Sequence, residues 1–127
     1  MKNSSVNQFL LGMFTAVHNE RNWNRLKNEM IAGFESRDKP YITKIRHSPD
    51  FIFSFNVDEL PKKFEKPSLI LTGRQDGLVG YKDAWNFLDN YPRASFIVLD
   101  MSGHALQIEQ ETLFNALVKE WLGRMEY

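Results

Sequence analysis

Two short runs of the chain constrain its fold more than any other feature. Ser68-Leu69-Ile70-Leu71-Thr72 and Phe96-Ile97-Val98-Leu99 are nearly continuously apolar, and each is ended by a polar loop containing glycine. A strand with one wet face alternates; an unbroken run of this length suits a strand buried on both faces of a parallel sheet. Parallel strands need a crossover. Ala84, Trp85 and Leu88 supply a short helix between the runs, stopped at Asn90-Tyr91-Pro92. After the second run Leu113, Phe114, Leu117, Val118, Trp121 and Leu122 mark a longer helix, from about Glu109 and closed by Gly123. Strand, helix, strand, helix is a parallel βαβα unit with a right-handed crossover.

The first half has a different pattern. Val6, Phe9, Leu10, Met13, Phe14 and Val17 recur at helical spacing and form one face of an α-helix. After a break at Asn19–Asn22, Trp23, Leu26, Met30 and Phe34 continue in a second helix. Asp38-Lys39-Pro40 reads as a cap with proline in the first turn, opening a third helix through Tyr41, Ile42 and Ile45. Ser48-Pro49-Asp50 repeats that start signal, but Phe51–Phe55 alternates in a way that also suits a strand; helix is the preferred reading. Pro61-Lys62-Lys63-Phe64-Glu65-Lys66-Pro67 is a polar connector, so residues 1–62 form a helical segment and residues 63–127 an α/β part.

Bulk properties narrow the function classes. An apolar share of 43% and a charged share of 25% suit a folded, water-soluble chain. Sixteen basic and sixteen acidic residues cancel (16 of each), which gives no electrostatic reason for a nucleic-acid or anionic-membrane partner. There is no cysteine, hence no disulfide, thiolate metal site or cysteine nucleophile, and a cytoplasmic setting is expected. No run reaches the roughly 18 apolar residues of a membrane span. The Met1-Lys2 start and the apolar stretch Phe9–Val17 do not read as a signal peptide, because Asn7 and Gln8 interrupt the approach and no small-x-small site follows.

Chemistry concentrates in the loops that follow the two strands. Gly73-Arg74-Gln75-Asp76-Gly77 follows the first and Ser102-Gly103-His104 the second. In open α/β sheets catalytic groups gather at the carboxyl edge, and residues after neighbouring parallel strands emerge side by side. A carboxylate accepting from a histidine ring nitrogen fixes the tautomer and stabilises the imidazolium. Asp76 taken alone is as readily a turn-holding residue, and His104 alone a capping or core histidine; the pairing favours chemistry. His18 and His47 have no partner at metal-ligand spacing and read as surface residues. No metal motif is present, and Gly73, Gly77 and Gly80 before Lys82 do not have phosphate-loop spacing.

With Pro67–Asp76, Pro92-Arg93-Ala94 before a strand, and Ser102-Gly103-His104 in view, the chain resembles the last third of an α/β-hydrolase. The resemblance implies a partial α/β-hydrolase fold, Asp76 as triad acid, His104 as general base, and no cofactor. It likens residues 1–62 to the helical cap of those enzymes and implies hydrolysis of an ester, amide or similar bond in a small-molecule substrate. The match departs at the nucleophile. The serines are Ser4, Ser5, Ser36, Ser48, Ser54, Ser68, Ser95 and Ser102, and none lies in a Gly-x-Ser-x-Gly elbow; the His-Gly oxyanion loop is missing as well. A carboxy-terminal half of such an enzyme accounts for both.

Three readings remain: an enzyme half completed by further chain or a second polypeptide, a non-catalytic interaction module, and an α/β domain with an unrelated role. An exposed sheet edge and uncovered helix faces would also favour a homodimer or higher oligomer.

Overall fold

The computed structural model describes residues 5–56 and 59–126. The Met1-Lys2 start, Ser4, two residues before the connector and the last residue lie outside that description.

Helix α1 (Ser5–Phe14) forms where expected but buries a different face. Leu11 and Phe14 are buried and Leu10 and Met13 pack beside them, whereas Val6 and Phe9 are 62% and 64% exposed. The cause is the partner: the carboxy-terminal half of α1 docks against Ala105 and Ile108, and its first turns run past that contact. Thr15 ends the helix by returning its hydroxyl to Leu11 O at 2.8 Å.

The second helix is continuous from Glu20 to Glu35: α2 (Glu20–Arg25), a π-helical turn (Leu26–Ile31) and α3 (Ala32–Glu35). Asn19 caps it by accepting from the Asn22 amide at 2.8 Å, so the expected break is a cap. Leu26 is fully buried. Helix α4 (Lys39–Arg46) starts as the sequence indicates, with Asp38 accepting from the Tyr41 amide at 2.9 Å and Pro40 in the first turn. The next start signal yields only a single 3₁₀ turn, Pro49–Phe51. Ile52, Phe53 and Phe55 then continue irregularly and, like Phe51, stay exposed, so neither the preferred helix nor the strand forms. Apolar side chains without a surface to dock on give no reason to order a helix this short.

Strand β1 (Ser68–Gly73) and strand β2 (Ala94–Leu99) pair in parallel, from Ser68 opposite Ala94 to Gly73 opposite Leu99. Between them α5 (Tyr81–Asn86) and a 3₁₀ turn (Leu88–Asn90) make the crossover. After β2 come α6 (Leu106–Glu109) and α7 (Glu111–Met125). Gly123 lies inside α7 and does not close it; the helix runs two residues further.

Helices cover both faces of the sheet. The Trp85 ring of α5 meets Phe96 edge-on at 5.5 Å, while Arg124 of α7 donates to Ser95 Oγ at 3.0 Å. Ser95 and Phe96 are successive strand residues and so point to opposite faces. Trp121 pins α7 to the start of β1 by donating to Pro67 O at 3.0 Å. The cover is thinner than an unbroken apolar run suggests: only Gly73 and Leu99 of the two strands are buried, and the rest are half-buried. With two strands, the sheet of the described residues has no inner strand to enclose.

The main buried cluster lies elsewhere, between the helical front and the segment after β2. Leu11, Phe14 and Leu26 pack with Ala105 and Ile108. Fully burying Leu11, Leu26 and Ile108 contributes roughly 1.5–3 kcal/mol each. No helix of the described residues is long and apolar enough to cross a membrane.

Candidate active site

The two loops expected to carry chemistry are fastened to each other by backbone. The Arg74 amide donates to Leu99 O at 2.8 Å and the Gln75 amide to Ser102 O at 2.9 Å, extending the ladder past the strand ends. The Gln75 side chain completes the join, accepting from the Ser102 amide at 3.1 Å and donating to Asp100 at 2.7 Å. Gly73 is required for this approach rather than for its dihedral freedom: a Cβ there would sit 2.3 Å from Gly103 O and 2.5 Å from Ser102 O. The other loop turns through Met101, whose φ of 50° lies in the left-handed region, at a cost of roughly 1–2 kcal/mol. Gln110 secures that turn by donating to Asp100 O at 2.8 Å.

Asp76 and His104 meet at the joined ends. His104 Nδ1 lies 3.0 Å from Asp76 Oδ2. The other carboxylate oxygen accepts from the Leu78 amide at 2.8 Å and the Val79 amide at 3.0 Å. The turn-holding and histidine-holding readings of Asp76 are thus both correct, one oxygen for each. Burial opposes charge on Asp76, whose side chain is only 9% exposed. The Val79 and Leu78 amides and the His104 ring together outweigh that, and hold the carboxyl below the usual aspartate range.

A carboxylate only accepts, so the shared hydrogen belongs to Nδ1 and the lone pair to Nε2. Among the described residues Nε2 has no hydrogen-bond partner, and the His104 side chain is 36% exposed. Phe14 lies beside the ring, centroids 5.9 Å apart, with Phe34 6.2 Å beyond it. The helical front thus lends an aromatic wall to the histidine. An imidazole held this way can take a proton at Nε2 and return it.

Other candidates fall away on geometry. His18 and His47 are exposed and each rests on a carbonyl of its own turn, Thr15 O at 3.1 Å and Thr43 O at 2.7 Å. Ser102, the serine nearest His104 in sequence, is fully buried, and its hydroxyl has no partner among the described residues. No three acidic, histidine or cysteine side chains among the described residues are grouped to hold a metal. A groove of about 530 Å³ between α5 and β2, lined by Tyr81, Trp85, Phe96 and Val98, includes neither Asp76 nor His104.

Sequence reasoning missed Glu109. One of its oxygens accepts from the Ala16 and Val17 amides at 2.7 Å each, and the other from the Gly103 amide at 2.6 Å. Its position five residues after His104, on the short helix leaving that loop, was the available signal; it read only as the start of a helix.

The fold, rather than the site, can be compared with known proteins. No protein-family model matches the chain. Over 72 residues the chain is 29% identical to the "Putative carbamate hydrolase RutD" of Stutzerimonas stutzeri (strain A1501), covering 56% of this chain and 27% of that protein. The structure superposes on an alpha/beta superfamily hydrolase from Oenococcus oeni PSU-1 with a TM-score of 0.79 at 22% identity, over 100% of this chain and 46% of the other. A thermophilic esterase gives 0.66 at 18% identity, over 95% of this chain and 46% of that one. Est816, described as an N-acyl homoserine lactone degrading enzyme, gives 0.51 at 18% identity, over 84% and 54%. The fold is therefore a partial α/β-hydrolase fold, with two parallel strands and flanking helices, as the sequence resemblance implied. The chain spans about half the length of these solved hydrolases and about a quarter of the curated relative.

Proposed function

We propose that this chain supplies the acid, Asp76, and the base, His104, of a hydrolase acting on the ester, amide or related carbonyl bond of a small molecule. The serine nucleophile would come from polypeptide outside these residues. The observation that carries this reading is the 3.0 Å contact of His104 Nδ1 with Asp76, at the carboxyl edge of two parallel strands and with Nε2 unengaged among the described residues. In that role Nε2 takes the serine proton as the oxygen attacks the carbonyl carbon. The imidazolium, stabilised by Asp76, then protonates the leaving group, and water repeats the sequence on the acyl-enzyme. The relatives named as hydrolase and esterase support the reaction class.

Residues 1–62 act in this reading as the cap, with Phe14 and Phe34 as the wall that an apolar part of the substrate would meet, and residues 63–127 as the core. A cytoplasmic setting suits a chain without cysteine. The test is genetic and then enzymatic. An in-frame Gly-x-Ser-x-Gly encoded upstream of Met1 is expected, with esterase activity in the longer product that His104→Ala and Asp76→Ala each abolish. A longer product fully active with either substitution would end the proposal.

A second reading, a non-catalytic interaction module, draws on the uncovered apolar surface. Val6, Phe9, Phe53 and Trp85 are each more than half exposed, and among the described residues β1 pairs on one side only. It predicts association with another polypeptide that Asp76→Ala and His104→Ala leave unchanged.

A further inference from the structure

We propose that Glu109 is a positioning residue that makes the His104–Asp76 pair depend on the seating of the helical front. The inference rests on the acid–base reading of those two residues. His104 has no backbone anchor of its own in β2; it stands in a loop, and the loop is held on both sides of it. The preceding residue, Gly103, gives its amide to Glu109 at 2.6 Å. The following residue, Ala105, gives its amide to Phe14 O at 2.8 Å. The second oxygen of Glu109 reaches the turn after α1, where it takes the amides of Ala16 and Val17. The neighbours of the histidine are thus tied to the end of α1, one through the carboxylate and one directly.

The fit at Gly103 leaves little slack, since a Cβ there would lie 2.9 Å from Phe14 O and 3.1 Å from Thr15 backbone atoms. Three N–H donors on one side chain call for a group that only accepts, which a carboxylate is and an amide is not. Glutamine has the same shape but turns an NH₂ group toward either Gly103 or the 16–17 amides. One side of the tie then opens. The loop is free to shift, and Nδ1 loses its fixed distance from Asp76.

The experiment reads the histidine tautomer by ¹⁵N NMR on the full chain labelled at histidine, at a pH where the rings are neutral. The native chain is expected to show His104 protonated at Nδ1, because Asp76 accepts there. In Glu109→Gln that signature is lost in favour of the Nε2–H form preferred by an unrestrained imidazole, with His47, remote from the tie, unmoved. Circular dichroism reports whether the variant folds; should it not, Glu109→Asp, one methylene too short to reach both sides, takes its place. A folded variant that keeps the Nδ1–H signature while melting lower would make Glu109 a structural residue alone and overturn the proposal. A native chain whose His104 is not protonated at Nδ1 would overturn the acid–base reading itself, and this inference with it.

Discussion

Gly73 and Gly103 face each other across the ends of two strands so closely that neither the loop of Asp76 nor that of His104 can be moved alone. A Cβ at Gly73 would fall 2.3 Å from Gly103 O, in a loop whose Gly103 amide Glu109 already holds. Gly73→Ala is therefore expected to destabilise the chain by about 1–3 kcal/mol and to part the two loops. Gly77, in the same loop, has open space at its Cβ and no positive φ. Gly77→Ala should be neutral, or stabilising by about 0.4–1 kcal/mol through the unfolded state. Denaturant midpoints of the two variants give the comparison; equal effects would mean that the close approach is not what holds the site.

Asp76 sets an acid limit on stability. Its carboxyl is held below the usual range because the Val79 and Leu78 amides and His104 outweigh burial. A group whose folded-state pKa is lowered contributes stability above its unfolded value, near about 4. That contribution is lost as pH falls through the folded value. Asp76→Asn should cost about 1–2 kcal/mol at pH 7, and the gap between native and variant should close as pH drops below that unfolded value. Guanidinium unfolding from pH 7 to pH 3 measures it, and a gap independent of pH would contradict the assignment.

The sequence carried the βαβα unit because unbroken apolar runs and the loops that end them are local signals. It carried the Asp76–His104 pair because parallel neighbours must deliver their following loops to the same edge. It did not carry the rotation of α1, since Leu11 and Val6 are equally apolar and the choice between faces is made by Ala105 and Ile108, far along the chain. Glu109 was hidden for the same reason: its three partners are backbone amides, which no residue type announces. The helix expected at Phe51–Phe55 had local propensity but nothing to pack against.

A serine-directed fluorophosphonate should leave this chain unlabelled. Labelling needs an exposed, activated hydroxyl, and Ser102, the serine beside His104 in sequence, is fully buried. Mass spectrometry of the treated protein reads the outcome directly. Stoichiometric adduct formation that disappears in His104→Ala would reveal a nucleophile within these residues and would require Ser102 to become exposed.

Association follows from what the fold leaves uncovered. Among the described residues strand β1 has a partner only in β2, so its other edge offers N–H and C=O groups to any extended segment. A two-stranded sheet is marginal in water, and the strand residues here are mostly half-buried. Val6 and Phe9 on α1 and Trp85 on α5 add apolar surface at more than half exposure. Each large apolar side chain left wet forgoes roughly 1.5–3 kcal/mol, and a few of them together match the stability of a small domain. The chain by itself is therefore expected to sediment at micromolar concentration as a dimer or larger species, burying about 800 Å² or more per partner. Lysine in place of Leu69 or Ile70 should weaken that association more than lysine in place of Leu122, which is exposed on α7. A monodisperse, cooperatively folding monomer would show instead that the core shared by Leu11, Leu26 and Ile108 sustains the fold without a covered edge.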